Sequence, residues 1–258
     1  MSTKIHPAAF VDPGAKLGVD VEVGPGAVIG PDVTIGDRTR VDSHALVTGW
    51  TTIGRECRIH HGAVLGTPPQ DLKYLGEPSY LVVGDRTTCR EYMTANLATE
   101  PGFTTRIGDD CLLMAYSHVA HNCQVGHRCV IANAVQMAGY VVVDDWAIVG
   151  GGTVVHQFVR IGRHSMIGGG SRIPQDVAPY VKAAGSPPRN AGINSIGLER
   201  RGVSAPVREA IERAYRIFFR DGLTAQRAVE EIRARYPGVP EVEHFARFCE
   251  TSVRGISR

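Results

Sequence analysis

The histidines of the stretch SHVAHNCQVG, residues 117–126, are the side chains of this sequence with the widest choice of chemistry. His118 and His121 stand three residues apart, and His156 with Gln157 follows further along the chain. An imidazole titrates near neutral pH, so a histidine can act as a general base, and it is also a common metal ligand. Both histidines are equally compatible with a role as polar fillers of a repeat. The elements that carry them decide between these possibilities.

The chain repeats with a period of six residues over most of its length. Stepping by six from Ile5 to Ile173 gives 29 positions, of which 24 are Ile, Val, Leu or Met. This period fits neither a 3.6-residue helix nor a two-residue strand alternation. It is typical of a parallel β-helix, in which each hexapeptide forms one short strand and one corner. Glycine often follows the aliphatic residue, as at Gly18 and Gly36, and we expect it to mark the bend.

Three hexapeptides close a triangular coil of 18 residues, and the aliphatic side chains of successive coils stack in its interior. At the inter-strand spacing of ~4.8 Å, nine or ten coils give a prism roughly 45 Å long. Two segments leave this register, residues 67–80 (TPPQDLKYLGEPSY) and residues 96–105 (NLATEPGFTT). We expect both to be loops outside the prism, where they are either tolerated insertions or carriers of function.

After a proline-rich exit the pattern becomes helical. Ser204 and Thr224 are positioned to cap the first two helices, and a third helix is expected over about residues 241–253. The predicted fold is therefore mainly β, with a β-helix over residues 1–190 and a small α-helical domain over residues 191–258.

The composition is that of an ordinary folded protein, with 258 residues, 21% charged residues and a net charge of +2. No apolar run approaches the ~20 residues of a membrane span, and the N-terminal stretch MSTKIHPAAFVDP lacks a signal-peptide core. We expect a cytoplasmic protein with no integral membrane segment and no nucleic-acid partner. From about residue 197 the chain holds 12 Arg and no Lys against 9 Asp plus Glu. This basic bias indicates either a solvated helical surface or part of a dock for an acidic partner.

The cysteines follow the repeat. Cys57, Cys111, Cys123 and Cys129 each lie four residues after an aliphatic position, where the other coils carry small residues such as Ala27. The favoured interpretation is that they are small buried thiols, with disulfide or zinc binding as the alternatives.

The 18-residue coil places His121 directly beneath Gly139, and Gly139 beneath Gln157. A glycine leaves room for a ligand to approach, and it leaves its backbone N–H available to that ligand. His156 lies beside Gln157 on the same side and near the same height, and His118 belongs to the same group of polar residues. The pattern therefore predicts a cluster of polar groups on one part of the prism.

At these residues the chain resembles the bacterial UDP-N-acetylglucosamine acyltransferase family. The motifs are Gln70-Asp71-Leu72-Lys73-Tyr74 in the first loop, Ala120-His121-Asn122-Cys123, Val155-His156-Gln157-Phe158, and Gly197-Leu198-Glu199-Arg200-Arg201-Gly202 at the start of the tail. The resemblance covers essentially the whole chain, and it implies a left-handed β-helix. It also implies a homotrimer that transfers a 3-hydroxyacyl chain from acyl carrier protein to the 3-hydroxyl of UDP-N-acetylglucosamine, the first step of lipid A synthesis. Neither a metal nor a cofactor is implied.

By the same resemblance, His121 is the general base, the Gly139 backbone N–H is the oxyanion donor, and Asp71 orients the base or contacts the sugar. Gly169 corresponds to a wall position of the acyl groove. The remaining implied residues bind substrate: Gln70, Lys73, His118, Tyr140, His156 and Gln157 around the sugar, and Asn194, Arg200 and Arg201 at the nucleotide end. Arg216 and Arg220 of the basic tail are candidates for meeting the acidic carrier protein.

The sequence departs from the family pattern at three places. Tyr140 stands where a histidine is usual, residues 96–99 (NLAT) replace a commoner Asn/His-Arg-Gly-Thr, and Ile196 replaces an acid. The first two leave the acceptor open between a 3-hydroxyl and a 3-amino sugar.

Three other functions are compatible with this fold. They are a related sugar acyltransferase, including the N-acyltransferase that acts later in lipid A synthesis, a zinc carbonic anhydrase, and a non-enzymatic scaffold. Zinc requires three converging histidines, but His121 and His127 are one hexapeptide apart and so lie on different faces. A scaffold needs neither the loop motif nor His121 and Gln157 in one column.

Overall fold

A computed structural model describes residues 3–257 of the chain. Residues 4–173 form the predicted left-handed parallel β-helix, whose strands, mostly two residues long, stack into three sheets. Sheet 1 holds β1 (Lys4–Ile5), β4 (Glu22–Val23), β7 (Arg40–Val41), β10 (Arg58–Ile59), β13 (Thr88–Cys89), β16 (Leu112–Leu113), β19 (Val130–Ile131), β22 (Ile148–Val149) and β25 (Met166–Ile167).

The other two walls of the prism are built in the same way. Sheet 2 holds β2 (Phe10–Val11), β5 (Val28–Ile29), β8 (Leu46–Val47), β11 (Val64–Thr67), β14 (Thr94–Asn96), β17 (His118–Val119), β20 (Gln136–Met137), β23 (Val154–Val155) and β26 (Arg172–Ile173). Sheet 3 holds β3 (Lys16–Leu17), β6 (Thr34–Ile35), β9 (Trp50–Ile53), β12 (Tyr80–Val83), β15 (Thr104–Ile107), β18 (Gln124–Val125), β21 (Val142–Val143) and β24 (Arg160–Ile161).

Three corners join these sheets along the prism. The first corner connects sheet 1 to sheet 2, the second corner connects sheet 2 to sheet 3, and the third corner connects sheet 3 back to sheet 1. Most paired residues are 18 apart, as in Gln124 and Val142. The interval becomes 30 across the first loop, where Trp50 pairs with Tyr80, and 24 across the second, where Tyr80 pairs with Thr104. Both loops therefore leave the prism at the second corner, and the strand pairing resumes beyond them, with one shift of register between Leu65 and Thr67 where the first loop begins.

The aliphatic residues of the repeat form one continuous core inside the prism. The side chains of Ile29, Ile59, Leu113 and Ile167 are almost fully buried there. The repeat continues across the loops through smaller inward residues, Cys89 among them. All six cysteines are buried free thiols, and the four predicted to be small buried residues, Cys57, Cys111, Cys123 and Cys129, lie in this core, which confirms that prediction.

The glycine that often follows the aliphatic residue does not mark the bend, so that prediction was wrong. The left-handed backbone occurs two residues after the glycine, at Arg38 (φ 57°) and Glu56 (φ 58°), for example. Glycine is needed for close approach between coils. A Cβ on Gly36 would lie 2.6 Å from the carbonyl carbon of Gly54, closer than folded proteins allow.

The proline-rich exit is an ordered hairpin, which the sequence pattern did not predict. Strand β27 (Val181–Gly185) extends sheet 1 in parallel beside β25, and β28 (Pro188–Ile193) pairs with β27 antiparallel. The turn between them includes a cis peptide bond, Ser186–Pro187. The strand β28 crosses residue 190, where the boundary between the two domains was predicted.

Four helices follow the hairpin. They are α1 (Ser195–Arg200), α2 (Ala205–Phe219), α3 (Ala225–Arg235) and α4 (Pro240–Glu250). Ser204 and Thr224 are the residues before α2 and α3, as predicted. The Thr224 side chain accepts a hydrogen bond from the Arg227 N–H, whereas the Ser204 side chain makes no capping bond.

The helices have a hydrophobic core of their own, which includes Ile211, Phe218, Ile232 and Phe245. Val181 of the hairpin belongs to this second core. No helix within residues 3–257 is long and apolar enough to cross a membrane.

Candidate active site

The second corner carries His121, and the glycine one coil further along lies against its ring. The Tyr140 N–H donates to the His121 carbonyl oxygen over 3.0 Å, so the two turns stack in the register that the sequence predicts. An ideal Cβ on Gly139 would lie 2.6 Å from His121 Nε2 and closer still to Cε1. His121 is 8% exposed. Its imidazole therefore occupies the space that any other residue at position 139 would fill.

The Gly139 N–H is an unused donor at this corner. No acceptor within residues 3–257 pairs with it. At the third corner the equivalent N–H groups are often capped by an aspartate. Arg55 N–H donates to Asp85 Oδ1 over 3.0 Å, and His127 N–H donates to Asp145 Oδ1 over 2.8 Å. The second corner lacks such a carboxylate above Gly139, so the N–H can serve an oxygen that is not part of the protein.

The Nδ1 atom of His121 pairs with Asn122 Oδ1 at 3.0 Å. Asn122 is 6% exposed, and Thr99 and Glu100 of the second loop also contact its side chain. The sequence pattern assigned no role to Asn122, Thr99 or Glu100. Asp71, predicted to orient the base, instead accepts a hydrogen bond from the Lys73 N–H over 3.0 Å. Within one chain the partner of His121 is thus Asn122.

Two aromatic residues continue the second corner above His121. Tyr140 makes an edge-on contact with the His121 ring, with the centroids 5.4 Å apart, and it stacks on Phe158 at 4.9 Å. Burial and then the nearby Glu100 raise the pKa of the Tyr140 hydroxyl. The charge of Asp71, in the first loop, raises it further.

His118 lies beside this corner, on β17. Its Nδ1 pairs with Thr94 Oγ1 at 2.7 Å. Burial, followed by the proximity of His121, lowers the pKa of His118, so this ring is neutral at pH 7. His156 is exposed at the second corner, with Nδ1 at 3.1 Å from the Gln157 carbonyl oxygen, and Gln157 is half-buried. The Gln70 and Lys73 side chains are exposed on the first loop.

The residues predicted at the nucleotide end lie at a different corner. Asn194 is the N-cap of α1, and its Nδ2 donates to the His164 carbonyl oxygen over 3.0 Å. Arg201 donates from Nη1 to His164 Nδ1 over 3.2 Å, and its guanidinium lies 4.9 Å from the centroid of Trp146. Arg200 is exposed. Trp146 and His164 belong to the third corner.

Gly169 lies at the remaining, first corner. A Cβ there would be 3.0 Å from the Gly151 carbonyl oxygen, and Gly170 beside it faces open space. One chain therefore brings together His121, Gly139, Tyr140 and Gln157, whereas Gly169 and Arg201 lie at the other two corners. No group of acidic, cysteine or histidine side chains within residues 3–257 is arranged to hold a metal ion.

The coil is that of a hexapeptide-repeat transferase, as two family models show. A model of bacterial transferase hexapeptides (six repeats) matches residues 32–67 and 104–139, and a model of the second domain of UDP-N-acetylglucosamine O-acyltransferase matches residues 176–257. The chain belongs to the UDP-N-acetylglucosamine O-acyltransferase family, and it is an acyltransferase.

Solved structures of the family match over nearly the whole chain. LpxA from Acinetobacter baumannii is 41% identical with a TM-score of 0.95, and the match covers 98% of this chain and 99% of that chain. LpxA from Bacteroides fragilis is 40% identical with a TM-score of 0.95 and the same coverage. The UDP-N-acetylglucosamine acyltransferase from Arabidopsis is 32% identical with a TM-score of 0.87, over 98% of this chain and 100% of that chain.

Proposed function

We propose that this protein transfers a 3-hydroxyacyl chain from acyl carrier protein to the 3-position of UDP-N-acetylglucosamine, in lipid A synthesis. The observation that carries the proposal is the position of the His121 ring against Gly139, whose backbone N–H is unused, in a chain of this family. A base and an oxyanion donor one coil apart are the two groups that acyl transfer to a hydroxyl requires.

In the proposed reaction, His121 Nε2 takes the proton of the sugar hydroxyl as its oxygen attacks the thioester carbonyl. The Gly139 N–H donates to the oxyanion of the tetrahedral intermediate. The intermediate then collapses, the C–S bond breaks, and the departing thiolate receives the proton from the imidazolium. Both substrates are bound together, so no acyl-enzyme forms.

The thiol nearest to His121 in the sequence, that of Cys123, is unsuited to form an acyl-enzyme, which supports direct transfer. Cys123 is fully buried, and its Sγ donates to the Ala138 carbonyl oxygen over 3.1 Å. Burial raises the pKa of the Cys123 thiol to about 12, so little thiolate is present at neutral pH. Cys123 is consequently a poor candidate for a covalent intermediate.

The surrounding residues are proposed to bind the acceptor. His118, Tyr140, His156 and Gln157 line the sugar pocket at the second corner, with Gln70, Asp71 and Lys73 of the first loop covering it. Asn194, Arg200 and Arg201 bind the nucleotide, because guanidinium groups suit phosphate oxygens. Arg216 and Arg220 of the basic tail are proposed to contact acyl carrier protein.

The proposed site is completed by a second copy of the chain. His121, Gly169 and Arg201 lie at three different corners of one prism, so a substrate that contacts all three must lie between copies. A cyclic homotrimer gives each copy the same environment. In support, the outer face of sheet 1 carries a ladder of apolar side chains that would otherwise face water: Leu112, Val130, Ile148 and Met166.

A 3-amino UDP-sugar is the second candidate acceptor. Tyr140 replaces the usual histidine next to His121, and its hydroxyl contacts the Glu100 carboxylate. A carboxylate near the pocket favours an amine, which can carry a positive charge, over a hydroxyl.

The proposal is tested by a transfer assay that offers UDP-N-acetylglucosamine and its 3-amino analogue, each with acyl carrier protein thioesters of increasing chain length. Preference for the hydroxyl acceptor supports the first candidate, and preference for the amine supports the second. Transfer to neither sugar would refute both.

The role of His121 is tested in the same assay. His121→Ala is expected to lower kcat by at least ~10²-fold, as the loss of a general base requires. The variant must retain the thermal stability and the oligomeric state of the parent. Near-normal turnover of such a variant would exclude His121 as the base.

A further inference from the structure

The carboxylate of Glu100, in the second loop, is held by three side chains near His121. Its Oε2 accepts hydrogen bonds from Asn122 Nδ2 over 2.7 Å and from Thr99 Oγ1 over 2.9 Å, and its Oε1 accepts one from the Tyr140 hydroxyl. The hydrogen bond from Tyr140, followed by those from Thr99 and Asn122, lowers the pKa of Glu100. Glu100 is therefore a charged acceptor at neutral pH, fixed in place although it belongs to a loop.

Glu100 determines which way the Asn122 amide points. A carboxylate can only accept hydrogen bonds, so the group of Asn122 that faces it is the NH₂. The Oδ1 atom consequently faces the other way, where it accepts from the Thr99 N–H over 3.1 Å and lies 3.0 Å from His121 Nδ1. Reversing the amide would place its NH₂ against the Thr99 N–H and would face Oδ1 toward the carboxylate.

The amide in turn determines the tautomer of His121. Because Asn122 Oδ1 is an acceptor, the hydrogen of the neutral imidazole must lie on Nδ1. The lone pair is then on Nε2, the atom next to the position of a Gly139 Cβ. A general base at this corner needs that tautomer, because Nδ1 points back into the protein.

We infer that Glu100 is a positioning residue that acts through Asn122 on His121. The inference rests on the proposed role of His121 as the base. Glu100 fixes the amide, the amide fixes the imidazole, and the negative charge of the carboxylate stabilises the imidazolium that forms as the hydroxyl loses its proton. Tyr140 supports the same carboxylate, so its place beside His121 has a function in this chain apart from contact with the sugar.

The relay from Glu100 through Asn122 to His121 can be tested by exchanging the acid and the amide between positions 100 and 122. Glu100→Gln removes the charge but keeps an oxygen that can accept from Asn122. Asn122→Asp places a second carboxylate against Glu100, where like charges repel at hydrogen-bonding distance. The double variant restores one charge and one amide, with the new amide at position 100 donating to a carboxylate at position 122 that accepts directly from His121. The side chains keep the same number of non-hydrogen atoms throughout.

The measurement is kcat and KM of all three variants with both substrates, together with thermal unfolding. Glu100→Gln is expected to lower kcat about 10-fold, a part of the ~10² to 10⁴ that general-base catalysis contributes, with KM within about twofold of the parent. Asn122→Asp is expected to have a lower kcat than Glu100→Gln. The double variant is expected to have a kcat within about threefold of that of the parent. Glu56→Gln, which removes a surface glutamate paired with Arg38 at the third corner, is the control and is expected to retain full activity.

Three results would overturn the inference. They are a parental kcat in Glu100→Gln, a double variant no better than the worse single variant, and a loss expressed in KM alone. Because His121→Ala is measured in the same assay, a failure of the positioning role of Glu100 can be told apart from a failure of the proposed role of His121 as the base. If His121→Ala is inactive while Glu100→Gln is normal, only the positioning role fails, and if His121→Ala is active, the general base and the relay both fail.

Discussion

The imidazole of His121 lies in the space that a side chain on Gly139 would occupy, with Nε2 2.6 Å from the position of an ideal Cβ. This contact joins two neighbouring coils of the prism. It brings the proposed base next to the residue that carries the proposed oxyanion donor. It also means that position 139 accepts no side chain while His121 keeps its present place.

Gly139→Ala is accordingly expected to displace the His121 ring and to lower kcat by at least ~10-fold, with the fold intact. The β-helix core does not include this position, so the melting temperature and the circular dichroism spectrum are expected to stay near those of the parent. Normal turnover in this variant would show that the ring is free to move without consequence.

The structural features that the sequence predicted are those that result from the stacking of successive coils. The inward residues recur every six positions because each contacts its equivalents 18 residues away, and that rule also placed Gly139 over His121. The corner glycines obey a different rule, since Gly36 is small to allow close approach between coils rather than to permit a left-handed turn.

The parts that the sequence did not predict depend on chain segments folding back. Glu100 reaches Asn122 only because the second loop returns to the corner, and nothing in the local pattern around SHVAHNCQVG indicates that contact. The hairpin that ends in Ile193 was hidden in the same way, because its prolines and glycines mask the short alternation of Val181 and Ala183.

Gly169→Met is expected to shift the acyl preference toward shorter chains. Gly169 is exposed at the first corner, where a Cβ would lie 3.0 Å from the Gly151 carbonyl oxygen and Gly170 beside it faces open space. In the proposed acyl groove, a long side chain at position 169 would fill the volume that the distal methylenes occupy, at about 0.8 kcal/mol of lost burial per excluded methylene. The measurement is kcat/KM across a ladder of acyl carrier protein thioesters, and an unchanged profile would place the acyl chain elsewhere.

His164 is expected to make stability depend on pH at the third corner. Burial, followed by the charge of Arg201, lowers the pKa of His164 to about 4, against ~6.5 in an unfolded chain. The unfolded chain therefore binds a proton that the folded chain excludes. This contribution to stability is full above about pH 6.5 and is lost as the pH falls toward 4.

His164→Phe keeps an aromatic ring between Trp146 and Tyr180 but cannot titrate. Between pH 7.5 and pH 5, the free energy of unfolding is expected to fall by about 1–2 kcal/mol less in this variant than in the parent. Denaturant titrations at equal protein concentration measure the difference. Equal falls in the two proteins would mean that His164 gains its proton in the folded state as readily as in the unfolded one.

The placement of His121 and Arg201 at different corners predicts that two inactive variants complement each other. Arg201→Ala is expected to lose most activity through a higher KM for the nucleotide sugar, and His121→Ala through kcat. When the two are coexpressed with different tags and purified through both, every mixed trimer holds one copy of one variant and two of the other.

If each site takes His121 from one chain and Arg201 from its neighbour, a mixed trimer has one intact site, so about a third of the parental activity returns. The matched control pairs His121→Ala with Gly139→Ala. These residues belong to the same corner of the same chain, so no arrangement of the trimer restores a complete site, and activity stays no higher than that of the variants alone. Recovery in the control pair, or none in the first pair, would show that the base and the nucleotide-binding arginine act within a single chain.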